Sequence, residues 1–127
     1  MPISYTIDSD RGRVVVQFTG TVRDQDLFST FHQLYGDPRH RIGMPELTDC
    51  RELERAELTG AGLRALARMT ATKLDPAQKP WKVAVVAPQN VVYGLARMYE
   101  LLREGSPEHV EVFRDLAAAE AWLEEPG

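Results

Sequence analysis

At 127 residues, with 43% apolar and 27% charged residues, the chain is long enough to bury a core without staples and too apolar for disorder. Nineteen acids against fifteen bases leave a net charge of −4 with both signs interspersed, which argues against nucleic acid or an anionic membrane surface as the main partner. Cys50 stands alone, so no internal disulfide can form; MPISYTIDSD lacks the pattern of a signal peptide, and no apolar segment approaches the ~20 residues that span a bilayer. The expectation is one cytoplasmic domain over residues 1–127, with no membrane span.

Ile3, Tyr5 and Ile7 alternate with polar residues, and Val14, Val16 and Phe18 do so again after the turn residues Asp8 to Gly12. This predicts a β-hairpin of residues 3–8 and 13–19, ended by Gly20. Thr21 to Asp24 has the form of a capping box, with Asp in place of Glu, opening a helix whose buried face carries Leu27, Phe28, Phe31, Leu34 and Tyr35. Gly36-Asp37-Pro38 ends it. A third strand is expected over residues 45–50, and the charged stretch Arg51 to Leu58 reads as a loop or single turn.

Thr59 is a good N-cap for a second helix that buries Leu63, Leu66, Ala67, Thr70 and Leu74. Val83 to Val86, mostly β-branched and apolar on both faces, predicts an interior strand over residues 82–87 of a largely parallel sheet, with Val83 and Val85 both nearly inaccessible. Asn90 is the expected cap of a third helix, with Val91, Leu95, Met98 and Leu102 as one buried stripe and Gly105 as the stop. Val110, Val112 and Phe113 form a last strand, and Asp115 caps a final helix carrying Leu116, Ala119, Trp122 and Leu123. The predicted order is β-β-α-β-α-β-α-β-α, an α/β domain whose strands after the hairpin pair in parallel.

Several stretches together carry a family resemblance: Phe18-Thr19-Gly20 at the end of the hairpin, Leu47-Thr48-Asp49-Cys50-Arg51, Val83 to Ala87 followed by Tyr93 to Glu100, and Val112 to Asp115 with Ala121-Trp122-Leu123. The chain resembles the bacterial SpoIIAA-like, or STAS-like, small domains over nearly its whole length. The resemblance implies a mixed sheet with helices, shared with anti-sigma-factor antagonists and similar in outline to the CRAL-TRIO lipid-binding domains. In those antagonists an Asp-Ser-Ser-Gly segment carries the phosphorylated serine. Here the matching place reads Glu57-Leu58-Thr59-Gly60, so Thr59 is expected to act as a cap, and Thr59→Asp to cost little.

Ligands of open α/β sheets gather beyond the C-terminal strand ends, where helix starts converge. Candidate ligand-binding residues are therefore Asp49, Cys50, Thr59, Gly60, Gln89 and Asn90; the blander reading makes Asp49 and Thr59 local caps and Cys50 an inert buried thiol. Tyr93, Arg97 and Tyr99 are candidates for a protein interface, since exposed aromatics beside arginine are enriched there. His32, His40 and His109 are dispersed and no CxxC or HxxxH occurs, so no catalytic constellation, metal or cofactor is expected. The leading expectation is a non-enzymatic regulatory domain that binds a protein partner, with a homodimer left open. The alternative is a carrier of a small hydrophobic or lipid-like ligand in a cavity between helices and sheet, and an enzyme stands third.

Overall fold

The computed structural model describes residues 1–126, with strands β1 (Ile3–Asp8), β2 (Arg13–Arg23), β3 (Glu46–Glu57), β4 (Trp81–Val86) and β5 (Glu108–Phe113). Helices α1 (Asp24–Tyr35), α2 (Gly60–Ala71), α3 (Asn90–Leu102) and α4 (Leu116–Glu124) follow β2, β3, β4 and β5 in turn. The element order is the predicted one. The strands lie in the sheet in chain order, β1 antiparallel to β2 and all later neighbours parallel.

Strand alternation divides the side chains between two faces. On one face Val14, Val16, Cys50, Val83, Val85, Val110 and Val112 join Leu27, Phe31, Leu34, Leu63 and Leu66 from α1 and α2 in the main core. On the other, Leu47, Ala84 and Val86 pack against Ala119 of α4. Lys82 ties that helix down: its ammonium donates to the Trp122 and Glu125 carbonyls at 2.8 and 2.7 Å, supplying donors to a helix C-terminus. β4 is interior as expected, with Val83 3% and Val85 9% exposed.

Three local expectations are corrected. Gly20 does not end β2. It sits at a bulge with φ +60°, a conformation that favours glycine, and the strand continues to Arg23. Arg51 to Glu57 is not a loop but the second half of β3, paired with Thr19 to Arg23 alone after β4 has left the ladder at Asp49. A half-strand bordered on one side only takes charged residues wherever it meets water, with Leu53 and the half-buried Ala56 turned to the core, and Glu57 there pairs with Arg23 at 3.0 Å and Arg55 at 3.1 Å.

The third correction concerns α3. Its predicted buried stripe is largely exposed: Val91 71%, Met98 41% and Leu102 37%. The helix docks instead through Val92, Leu95, Ala96 and Tyr99, with Arg103 buried just beyond its end. Asn90 is its first residue rather than its cap. Gln89 precedes it without a side-chain cap bond, and the Asn90 Oδ1 accepts from Arg114 at 2.7 Å.

Candidate functional site

Between the sheet and helices α1, α2 and α3 lies a cavity of about 90 Å³, well above the ~10–15 Å³ that one water needs. Its walls are almost wholly apolar, with Phe18, Leu27, Phe31, Leu53, Leu63 and Val92 among them. Sequence pattern explains the lining. Most wall residues are the apolar members of a strand alternation or a helix stripe, so the cavity is where three helix faces meet the sheet without filling the space between them.

The polar atoms on the cavity wall belong mainly to Glu46, Thr48, Tyr99 and Glu108. Glu46 and Glu108 are the first residues of β3 and β5, and the register puts Glu46 beside Val83 and Glu108 beside Trp81 on the same face of β4. The polar end therefore lies at the N-terminal edge of the parallel strands. Half-buried Ala56 and Leu58 line the cavity toward the other edge, at the end of β3 and just beyond it.

Glu108 is held by neighbours. Its Oε1 accepts from the buried Arg103 Nε at 2.7 Å and from the Tyr99 hydroxyl at 2.9 Å. Arg103 also donates from Nη1 to the Ala67 carbonyl at 3.3 Å. Burial and the negative charge of Glu108 raise the Tyr99 phenol well above its ordinary value. Burial also raises the Glu108 acid, against the pull of Arg103 and Tyr99. Glu46 has less support. Among the described residues its carboxyl takes one hydrogen bond, from the Thr48 hydroxyl at 2.9 Å. Burial first, and the nearby Glu108 second, push it up to about 7. Behind it the Tyr35 and Thr70 hydroxyls share a bond of 2.9 Å.

The sequence-derived ligand candidates are mostly engaged elsewhere. Asp49 is buried and chelated by Arg51, whose Nε and Nη2 lie 3.0 and 2.9 Å away. Burial works against that carboxylate and the Arg51 bonds outweigh it, so its acid lies below the ordinary value. Thr59 bonds Asp24, the Gln89 amide donates to the Leu53 carbonyl at 3.0 Å, and Asn90 pairs with Arg114. Gly60 opens α2 close to the Arg64 side chain. Of the set, Cys50 alone lines the cavity; burial pushes its thiol up to about 12, which leaves it protonated and a poor nucleophile.

Of the three interface candidates, Tyr99 turns inward to Glu108. Tyr93 is half-buried under the Arg114 guanidinium, 4.0 Å from the ring centroid, and Arg97 is exposed and paired with Glu100 at 2.7 Å. Sequence reading missed Glu46 and Glu108. The available signal was an acid leading each apolar alternation, Glu46-Thr48-Cys50 and Glu108-Val110-Val112, which puts a carboxyl on the face that is otherwise core. Among the described residues no group of three His, Cys, Asp or Glu side chains is arranged to hold a metal, and no helix is long and apolar enough to cross a membrane.

No protein-family model matches the chain, and no curated protein does so by sequence. Among solved structures it is similar to an uncharacterized protein of the DUF3478 family from Shewanella loihica PV-4, described as having a SpoIIAA-like fold. The two share 15% identity and a TM-score of 0.58, over 95% of this chain and 91% of the other. With the sheet order and helix placement above, this chain has the SpoIIAA-like fold that its sequence resembles.

Proposed function

We propose that the protein is a non-enzymatic binding domain that holds a small, mostly apolar ligand in the cavity between its sheet and α1, α2 and α3. One observation carries this reading: an apolar-walled space of about 90 Å³ in a core that otherwise packs its valines and leucines to near-complete burial. Left empty, such a space forfeits about 2 kcal/mol of packing at the usual cost per unit of cavity volume, and a fitting ligand recovers it. Native mass spectrometry of freshly expressed protein tests the reading. A retained adduct of small-molecule mass that is lost on replacing Ala96 by Phe supports it. Clean protein, with no apolar molecule shifting the Leu63, Val85 or Val92 methyl signals in solution, refutes it.

A second reading, regulation through contact with a protein partner, is favoured by a different observation. Val91, Met98, Leu101 and Leu102 leave one side of α3 apolar and exposed, which is the kind of surface that partners cover. The two readings are compatible, because α3 forms one wall of the cavity and carries that face on its outside. Sedimentation of the parent and of Leu101→Glu separates them: self-association or partner binding lost in the variant supports the second reading without touching the first.

A further inference from the structure

Building on the cavity as a ligand site, we propose that its ligand carries a protonated amine at one end, an apolar small molecule whose ammonium pairs with Glu46. The argument starts from the charges around the floor. Two carboxyls, Glu46 and Glu108, lie on the cavity wall, and one buried guanidinium, Arg103, pairs with Glu108. Arg103 and the Tyr99 hydroxyl are both committed to Glu108. Glu46 is left with a hydroxyl donor alone, although it is only 8% exposed. A buried carboxylate without a cation is costly. In the empty cavity Glu46 lowers that cost only up to about pH 7, by holding its proton, which burial and Glu108 favour.

An entering ammonium balances the floor at two anions and two cations. Its donors find the second Glu46 oxygen and the Thr48 hydroxyl oxygen, while its hydrocarbon lies against Phe18, Leu27 and Phe31. A carboxylate ligand would add a third acid beside Glu46 and Glu108. Two cationic groups among the described residues have unpartnered buried nitrogens, Arg13 and Arg103, and neither lines this cavity: Arg103 lines a separate polar cleft with Glu100 and Ser106, and Arg13 another with Arg11 and Leu123. The titratable groups around Glu46 come from three packed elements: Tyr35 on α1, Tyr99 with Arg103 at the end of α3, and Glu108 on β5. Only Arg103 among them is cationic, and it is already matched.

Three molecules of equal length test the assignment on the full chain: pentylamine, pentanol and pentanoate, followed by calorimetry and methyl shifts at pH 7.5. The expected order is amine tightest, alcohol about tenfold weaker and pentanoate without detectable binding. Glu46→Gln should bring the amine to the level of the alcohol and leave the alcohol unchanged. Pentanoate binding as tightly as pentylamine, or pentylamine indifferent to Glu46→Gln, overturns the amine assignment while leaving the cavity as a ligand site. Failure of all three to shift the cavity methyls overturns both. The comparison of head groups on the unmodified chain decides the matter even where the variant does not fold.

Discussion

The Asp24 carboxylate and Thr59 lock the start of α1 to the start of α2. Asp24 Oδ2 accepts the Thr59 hydroxyl at 2.6 Å and Oδ1 accepts the Thr59 amide at 3.0 Å. The same hydroxyl oxygen accepts the Gly62 amide at 2.9 Å, so Thr59 caps α2 while being held itself. An anion thus already occupies the helix N-terminus that a phosphate would use. A phosphate on Thr59, or the carboxylate of Thr59→Asp, would meet Asp24 directly, which reverses the expectation that Thr59→Asp costs little. Thr59→Ala and Thr59→Asp should each lose about 0.5–2 kcal/mol in urea melts, and Thr59→Ser very little. Thr59→Asp as stable as the parent would show that the Asp24 contact is not made in solution.

Gly62 follows from the same contact. Glycine inside a helix ordinarily gains about 1 kcal/mol on replacement by alanine. Here a Cβ would run into the Asp24 carboxylate, so Gly62→Ala should destabilise the chain. In an Asp24→Ala background the sign should return to the ordinary one. Thermal melts of the four proteins make a double-mutant cycle, and additive effects would dismiss the clash.

Glu46 makes stability depend on pH in a defined direction. Its folded pKa of about 7 lies above the ordinary 4.5, so folding takes up a proton between those values. The stability that depends on protonated Glu46 is fully present below about pH 4.5 and is lost as pH rises to about 7, after which the penalty is constant. A shift of that size corresponds to about 3 kcal/mol. Relative to the parent, Glu46→Gln should gain stability by that order between pH 4.5 and 7.5, with Glu108 common to both proteins. Parallel stability curves across this window would count against an unpaired buried Glu46.

Breaking the neighbouring pair should act at any neutral pH. Glu108→Ala leaves Arg103, buried and 2.7 Å from its lost partner, with an uncompensated charge. The expected loss is about 3–5 kcal/mol in urea melts, and the double variant Glu108→Gln with Arg103→Met should recover much of it. A loss below about 1 kcal/mol would mean that water reaches the pair.

Much of this architecture is legible because its apolar periods are unambiguous. Val14-Val16-Phe18 and Val83 to Val86 admit only strands, and Leu27-Phe31-Leu34 and Leu63-Leu66-Ala67 admit one helix face each. Legibility fails where two periods compete or where charge hides a pairing. Arg51 to Glu57 looks like a loop because its strand is paired on one side and turns only Leu53 and Ala56 to the core, too few apolar residues to show an alternation. The Asp24 contact joins residues 35 positions apart, beyond the reach of any local motif. The cavity is least legible of all, because it is defined by atoms that fail to meet.

α3 shows such a competition within one helix. Val91, Leu95, Met98 and Leu102 repeat at helical spacing, and so do Val92, Ala96, Tyr99 and Arg103, one residue on and about 100° around the axis. The first set is the more apolar, yet the second is the one that docks, which brings Tyr99 and Arg103 to Glu108. Mutation distinguishes the two sharply. Val91→Glu and Leu101→Glu should change stability by no more than about 0.5 kcal/mol, as surface substitutions do. Val92→Glu, at a position 9% exposed, should lose several times that by burying an unpaired charge. Circular-dichroism melts of the three variants give the answer, and a severe loss from Val91→Glu together with a tolerated Val92→Glu would rotate α3 back to the face that the sequence alone selects.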